Sequence, residues 1–283
     1  MNRALEASVD ETLSHHLHEA YMEIFPAPGI VEKLAALKEN DYVAVTCSPT
    51  KGVAETLALT AELIGRGYRV VPHIAARNVR DLGHLREIMS QLADLGIDSL
   101  FVPGGDRAQP IGEFPSALSL LQAIHEFDHK LAWIGVGAHP EGHPAVDNVT
   151  LRDELLRKQQ FANYMVTQMC FDAEVLAAWL QDIRAAGISM PAWIGLPGAI
   201  ERSRLLHTSM RIGVGDSLRF LRRNLRTASH MMRSAVYHPD ELLRQIAPCA
   251  ADPANAVVGY HLFCFNQVES TERWRRGAIE ALT

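Results

Sequence analysis

Short apolar stretches rich in β-branched and aromatic residues alternate with longer helical patterns from near residue 20 to the end of the chain. This alternation is typical of repeated strand–helix units whose strands lie parallel in one sheet. The stretches lie at residues 21–25, 42–46, 69–73, 99–102, 132–136, 163–169, 192–196 and 258–265. We therefore predict eight parallel strands.

The segments between these strands carry apolar residues at the i, i+3, i+4, i+7 spacing of an amphipathic helix, as in residues 53–64, 82–95 and 175–186. Several of these segments end at a glycine just before the next strand, at Gly67, Gly96 and Gly187. Glycine favours the left-handed backbone that ends many helices. We expect these helices to form an outer layer around the sheet.

Eight parallel strands with right-handed crossovers close most naturally into a (β/α)8 barrel, the α/β fold called a TIM barrel. An open doubly wound sheet is the alternative. The 283 residues suit one such barrel, and no linker or internal repeat divides them. We predict a single domain over residues 1–283, in which residues 1–19 are an N-terminal helical extension that caps the barrel.

Charge and composition exclude several classes of protein. The formal net charge is -6 and the lysines and arginines form no block, so a nucleic-acid surface is not expected. The densest basic segment, residues 219–226 (RFLRRNLR), has the spacing of a solvated helix face; a phosphate or dinucleotide contact is the alternative.

The cysteines and the hydropathy pattern indicate the compartment. The four cysteines lie apart, without a C-x-x-C motif, as expected of buried thiols in a reducing environment. No apolar run is long enough to span a membrane, and the N-terminal residues are mixed polar. We expect a soluble cytoplasmic protein, and a homo-oligomer is compatible with the sequence.

Polar residues lie at or just beyond the ends of most predicted strands, where the active site of a (β/α)8 barrel is found. They are Glu23, Thr46, His73, Asp106, His139, Glu141, His143, Thr167, Gln168 and Asn266. This edge of the barrel is the predicted site.

Glu23 is a candidate general acid. Its neighbours are Met22, Ile24 and Phe25. A carboxyl group that points into a barrel mouth among apolar side chains favours its protonated form, as proton donation requires. The alternative is an outward side chain paired with a helix lysine.

Asp106 follows Gly104 and Gly105, a glycine pair that lets the backbone approach a flat ligand closely. The alternative is that Asp106 belongs to a simple turn or caps a helix.

Other kinds of site are disfavoured by the motifs. His139, Glu141 and His143 could suggest a metal, as could the cluster of His15, His16 and His18, but neither presents a regular set of ligands, and no metal is predicted. A P-loop and the hydrolase motif G-x-S-x-G are absent from the sequence, and the Gly135–Gly137 pattern does not lead into a helix.

Seven short motifs follow one another along the chain, each at a strand end. They are Glu23 with Phe25-Pro26, Val45-Thr46, Pro72-His73, Gly105-Asp106, Pro140-Glu141-Gly142-His143-Pro144, Thr167-Gln168 with Phe171-Asp172, and a final strand ending at Asn266. In this order they resemble the methylenetetrahydrofolate reductase family of short bacterial type, and the similarity runs from about Tyr21 to the end.

The resemblance implies an enzyme of one-carbon metabolism and methionine biosynthesis that reduces methylenetetrahydrofolate with NADH or NADPH. It implies noncovalent FAD across the barrel mouth and ping-pong hydride transfer. Glu23 would be the acid that opens the folate's five-membered ring to an iminium ion, which Asp106 would stabilise. Gln168 and Phe265 would contact the folate. The FAD would be lined by Thr46, His73, Gly105, Asp106, Ala138, His139 and His143, with Arg157 or Lys158 as a basic contact.

Two positions depart from the family pattern. Gly104 stands where the family commonly has an arginine, and His139 where it usually has an aromatic residue. A missing arginine removes a partner for a phosphate. Two alternatives follow: a reductase of the same substrate that uses nicotinamide or deazaflavin directly, and a non-catalytic pterin-binding or methyl-carrier protein.

Overall fold

The strands lie where the sequence predicts them in the computed structural model of the protein, which describes residues 2–48, 50–211 and 235–282. Seven strands come first along the chain, a pair of two-residue strands follows them, and a seven-residue strand comes last. They are β1 (Tyr21–Ile24), β2 (Tyr42–Val45), β3 (Arg69–Pro72), β4 (Ser99–Val102), β5 (Trp133–Ala138), β6 (Tyr164–Thr167), β7 (Ala192–Pro197), β8 (Ile200–Glu201), β9 (Val236–Tyr237) and β10 (Val257–Phe263).

Eight of these strands form one parallel sheet in the order β3-β2-β1-β10-β7-β6-β5-β4. The two ends of this sheet meet, because His73 and Phe101 form a parallel bridge and the Ile74 N–H donates to the Phe101 carbonyl at 2.9 Å. The predicted (β/α)8 barrel is thereby confirmed and the open sheet excluded. The short strands β8 and β9 pair antiparallel outside the barrel, and the periodicity did not predict them.

Helices cover the outside of the barrel. Their bounds are α1 (Asn2–His18), α2 (Ile30–Lys33), α3 (Gly52–Ile64), α4 (Leu82–Asp94), α5 (Ala117–Ile124), α6 (Asn148–Lys158), α7 (Ala173–Ala185), α8 (Arg202–Arg211), α9 (Asp240–Ala251) and α10 (Val268–Leu282). Gly67, Gly96 and Gly187 follow α3, α4 and α7 with φ of 86°, 69° and 86°, so the predicted glycine stops are confirmed.

Aromatic side chains fill the lower half of the barrel interior, near the amino ends of the strands. Tyr164 and Trp193 occupy space that a neighbouring side chain would otherwise need. A Cβ on Gly135 would lie 2.2 Å from the Tyr164 ring, and one on Gly259 would lie 2.2 Å from the Trp193 ring. Glycine is therefore the residue that fits these two positions.

The N-terminal extension is helical, as predicted, but it packs on the side of the barrel. Helix α1 contacts β10, α9 and α10, and the buried residues Leu13 and Leu17 join the core between the strands and the outer helices. The extension thus belongs to the outer layer of helices, and the prediction that it caps the barrel is wrong.

Residues 219–226, the basic segment predicted to be a solvated helix face, lie outside the described residues. Among the helices that are described, none combines the length and the apolar character needed to cross a bilayer.

A buried charge cluster ties the last helix to the start of the barrel. The Arg275 guanidinium bonds both carboxylate oxygens of Glu272, at 2.6 and 3.1 Å, and reaches the Asp41 carboxylate at 3.1 Å. It also donates to the carbonyls of Leu17 and His18 at the end of α1. Since Arg275 and Glu272 are 6% and 2% exposed, each charge depends on its partners for stabilisation.

We predict that Arg275→Ala lowers the free energy of unfolding by about 3 kcal/mol, because the buried Glu272 loses its closest partner while keeping Arg276, and Asp41 loses its ion pair with Arg275. Urea unfolding followed by circular dichroism measures the change. The matched control is Arg273→Ala on the same helix, whose ion pair with Glu269 is 75% and 77% exposed; it should cost no more than about 1 kcal/mol. Equal losses in the two variants would contradict the assigned role of the cluster.

His16 is a buried histidine of α1 whose ring makes an edge contact with Tyr260, with centroids 5.5 Å apart. Its Nδ1 has no hydrogen-bond partner among the described residues. Burial, and secondarily His15, lower the pKa of His16 from 6.5 to about 4. The folded protein therefore keeps this imidazole neutral at pH values where the unfolded chain has already protonated it.

We predict that stability falls as the pH is lowered from about 7 towards 4, since in that window the unfolded state binds more protons. His16 contributes about 1–2 kcal/mol of this loss between pH 7 and pH 5. Urea unfolding at the two pH values measures it. His16→Phe should reduce the loss by that amount, whereas His18→Phe, an exposed position on the same helix, should not. An unchanged pH dependence in His16→Phe would refute the prediction.

Candidate functional site

Glu23 points into the barrel from β1. Met22 and Ile24, its chain neighbours, pack in the outer core, so the alternation of a strand turns Glu23 inward. Its Oε2 lies 2.9 Å from Nε2 of His261 on β10, and the two side chains are 17% and 4% exposed. The alternative of an outward side chain paired with a helix lysine is excluded.

The immediate surroundings of the Glu23 carboxyl differ from the prediction. Met22 and Ile24 lie on the other side of the sheet, and the partner of the carboxyl is the imidazole of His261. The predicted apolar environment is therefore wrong. The sequence analysis missed His261 because β10 lies in a mostly apolar stretch. The alternation of side chains along the strand could have shown that His261 faces the barrel interior, since it follows the outward-facing Tyr260 and lies two residues before Phe263.

His73 completes a group of three polar side chains at this mouth. It follows β3, is 4% exposed, and its ring lies 4.5 Å from that of Phe101 and 6.0 Å from that of His261. Its Nε2 is buried without a hydrogen-bond partner among the described residues. Burial, and then the neighbouring His261, hold the pKa of His73 well below its ordinary value, so the imidazole is neutral.

The ends of β1 and β10 are locked together around Glu23. The Cys264 thiol donates to the Glu23 carbonyl at 2.9 Å, and burial raises the pKa of this thiol to about 12. The Asn266 amide accepts from the Phe25 N–H and donates to the Phe25 carbonyl, both at 3.0 Å. Asn266 has φ of 61°, which asparagine tolerates. It therefore holds the backbone beside Glu23.

The predicted residues after β2 and β4 lie at the same end of the barrel. The half-buried Thr46 donates its N–H to the Ile24 carbonyl at 2.9 Å. Gly105 has φ of 96°, and a Cβ there would lie 3.0 Å from that of Ala75. Asp106 is exposed in a bend. Since Ser116 caps α5, the alternative that Asp106 caps this helix is wrong.

Two arginines that the sequence analysis did not single out join the loops after β2, β3 and β4. Arg77 donates to the carbonyls of Pro115 and Arg107 at 2.9 and 2.7 Å. Arg107 in turn bonds the side-chain oxygen of Asn78, and the Asn78 amide reaches the Cys47 sulfur at 3.1 Å. These guanidinium groups hold the loops together.

A second polar group lies after β5. The rings of His139 and His143 are 5.3 Å apart. Burial, then His143 and Lys158, lower the pKa of His139 to about 4. The Lys158 side chain is 12% exposed and pairs with Glu154 at 3.1 Å. Arg157 is exposed, so Lys158 is the basic residue close to His139.

The remaining candidates lie on β5, β6 and after β10. Ala138 is buried, and its carbonyl accepts from the Gln168 N–H at 2.8 Å. The Gln168 side-chain oxygen accepts from the Met169 N–H at 2.9 Å. Phe265 is half-buried with φ of 49°, and its carbonyl accepts from Arg204 at 3.1 Å. Thr167 is engaged inside the sheet, where its hydroxyl accepts from the Gly195 N–H at 2.8 Å.

Some of the predicted site residues contact one another in the structure. Others share only the carboxyl end of the barrel with them. Glu23 and His73 lie in one cluster with His261, and their donor atoms all fall within 4.8 Å of one another. His139, His143 and Lys158 form the second group. Asp106 follows β4, which β2 and β3 separate from β1, so its convergence with Glu23 on one ligand stays a prediction.

The arrangement can hold an ion or a flat polar ligand at the mouth. In the described part of the chain, the cluster of Glu23, His73 and His261 is the group of three or more side chains able to ligate a metal. The loop that carries Glu141 is arranged differently, since the Cys170 thiol bonds the Glu141 carboxylate at 3.3 Å.

Comparison with known proteins gives a family match over most of the barrel. The family model described as methylenetetrahydrofolate reductase matches residues 29–200. Methylenetetrahydrofolate reductase 1 of Schizosaccharomyces pombe is 35% identical over 85 residues, which make up 29% of this chain and 14% of that protein. The match thus spans about one seventh of the length of this relative.

A solved structure from Burkholderia cenocepacia J2315, described as a lyase/mutase, is similar over 98% of this chain and 86% of its own. The identity is 13% and the TM-score is 0.49.

Proposed function

Because the chain belongs to the methylenetetrahydrofolate reductase family, we propose that it reduces 5,10-methylenetetrahydrofolate to 5-methyltetrahydrofolate with NADH or NADPH, through bound FAD. The observation that carries the proposal is the inward carboxyl of Glu23, held 2.9 Å from His261 at the carboxyl end of the barrel. Active sites of this fold lie at that end.

Glu23 is the proposed general acid. Opening the five-membered ring of the folate requires a proton on the departing amine nitrogen, and a carboxyl group in reach of that nitrogen supplies it. With its proton on Nε2, His261 donates a hydrogen bond to Oε2 of Glu23 both when the carboxyl group carries its proton on Oε1 and when it is ionised. The pair therefore keeps Glu23 in one position before and after proton transfer.

Asp106 is proposed to act by charge. Ring opening generates a cationic iminium, and an anionic side chain at the rim stabilises positive charge that develops there. Asp106 is exposed at the mouth, so a ligand that covers the mouth would desolvate it and strengthen this interaction. Gln168 and Phe265 are the proposed contacts to the pterin.

The residues at the mouth suit the ring system of FAD. His73 offers a buried, neutral imidazole whose Nε2 has no partner in the described part of the chain, and Gly105 lets the backbone approach a flat surface. Thr46, Ala138, His139 and His143 would line the cofactor, and Lys158 would meet a phosphate. FAD held by these residues would supply hydride transfer from the nicotinamide to the folate, with the two substrates using one site in turn.

A second candidate is a reductase of the same folate that works without flavin, with hydride passing directly from a nicotinamide or a deazaflavin. The observation that favours it concerns the described residues: the basic side chains identified at this end of the barrel already have partners, which leaves less positive charge for a pyrophosphate. Gly104 stands in open space, without a side chain, while Arg77 and Arg107 bond loop oxygens. Lys158 is already paired with Glu154.

We predict that Glu23→Gln abolishes folate reduction and leaves the oxidation of NAD(P)H by an artificial acceptor intact, because only the folate half-reaction needs the proton. Steady-state assays of the two half-reactions measure this. The control is Glu62→Gln, an exposed carboxylate of α3 paired with Arg66, which should leave both rates unchanged. Loss of both half-reactions in Glu23→Gln would contradict the assigned role.

We predict that the purified protein is yellow, with flavin absorbance that bleaches when reduced nicotinamide is added without oxygen. Spectrophotometry with NADH and with NADPH tests this and identifies the donor. A colourless protein that still reduces the folate would replace the proposal with the flavin-independent reductase. A protein that binds the folate and reduces it with neither donor would be a pterin-binding or methyl-carrier protein.

A further inference from the structure

We propose that Glu23, His73 and His261 form a binding site for one Zn²⁺ ion, and that zinc bound there inhibits the enzyme. The positions of the three side chains alone support the binding of zinc. The inhibition rests on the proposed function, because an ion held by the Glu23 carboxylate occupies the group that would carry the proton.

Three strand ends supply the donor atoms. Glu23 comes from β1, His73 follows β3 and His261 comes from β10, and one donor atom of each lies within 4.8 Å of the other two. Ligands of a tetrahedral zinc ion lie roughly 3.4 Å apart, given bond lengths of about 2.0–2.1 Å. The cluster therefore reaches zinc geometry by small side-chain movements, chiefly of the partly exposed Glu23.

The Nε2 of His73, which has no hydrogen-bond partner among the described residues, points to an ion. Burying a polar atom without a hydrogen-bond partner destabilises the fold, and among the described residues His73 Nε2 is such an atom, on a residue that is 4% exposed. A metal ion between the three donors would satisfy it.

Ring packing fixes the two imidazoles. His73 lies against Phe101, with centroids 4.5 Å apart, and His261 lies against Phe263 and Tyr21, at 5.0 and 6.3 Å. Ligands held in place lose little conformational entropy when the ion binds. The Glu23 side chain is 17% exposed, so an ion can reach its carboxylate from the mouth of the barrel.

The donor set selects the ion. Two imidazoles and one carboxylate form the protein ligands of several catalytic zinc sites, which leave a fourth position to water. Magnesium and calcium prefer oxygen ligands throughout, and they should bind poorly here. Zinc binding has to break the 2.9 Å contact between Glu23 and His261 and release any proton that the pair shares.

The test is a zinc titration of the chelator-treated full-length protein against a chromophoric zinc indicator, without folate or nicotinamide. The wild type should bind one equivalent tightly, and the Co²⁺ derivative should show the visible absorption of a tetrahedral site. His73→Gln and Glu23→Gln should each weaken zinc binding at least about tenfold. The control His125→Gln changes a histidine at the end of α5 and should leave the affinity unchanged. Circular dichroism verifies that each variant is folded.

Unchanged zinc affinity in both Glu23→Gln and His73→Gln would overturn the site and assign the ion to other histidines. Full reductase activity in chelator, lost on addition of one equivalent of zinc, would support the inhibition. Full activity with the site occupied would overturn the inhibition and leave the binding. If the protein reduces no folate under any condition, the proposed function fails, and the titration still decides the site.

Discussion

The pairing of the first strand with the last is the interaction on which the rest of the molecule depends. β1 and β10 pair side by side in the middle of the sheet, so Glu23 and His261, which are 238 residues apart, become neighbours. Asn266 and Cys264 reinforce this seam at the carboxyl end, and Arg275 ties the helix that follows to the amino end. The pairing of the first barrel strand with the last one therefore brings Glu23 and His261 together in the candidate site.

Sequence periodicity was sufficient to predict the fold because the chain repeats one simple strand–helix unit. The eight barrel strands and the glycine stops after α3, α4 and α7 follow from local patterns alone. The β8–β9 pair has two residues in each strand, too few to produce a period. The position of α1 on the side of the barrel depends on long-range contacts with β10, α9 and α10, which no local pattern encodes.

The candidate site was predictable where a polar residue ends a strand, as for Glu23 and His73. It was not predictable where a residue acts through a partner from another strand. His261 lies inside an apolar strand, and only the closed barrel shows that it faces Glu23. Arg77 and Arg107 were not singled out from the sequence, because the loop oxygens that they bond become their neighbours only in the folded barrel. Local sequence also did not distinguish Lys158 from Arg157, because their difference in burial depends on how α6 packs.

Aromatic side chains fill the barrel interior beneath the mouth. Tyr21, Tyr164 and Trp193 occupy the interior below Glu23, and Gly135 and Gly259 leave room for their rings. These rings therefore lie between the carboxyl group and the amino end of the barrel. When a flat ligand covers the opening, the Glu23 carboxyl group loses its contact with bulk solvent. The imidazole of His261 is then the hydrogen-bonding partner that it keeps.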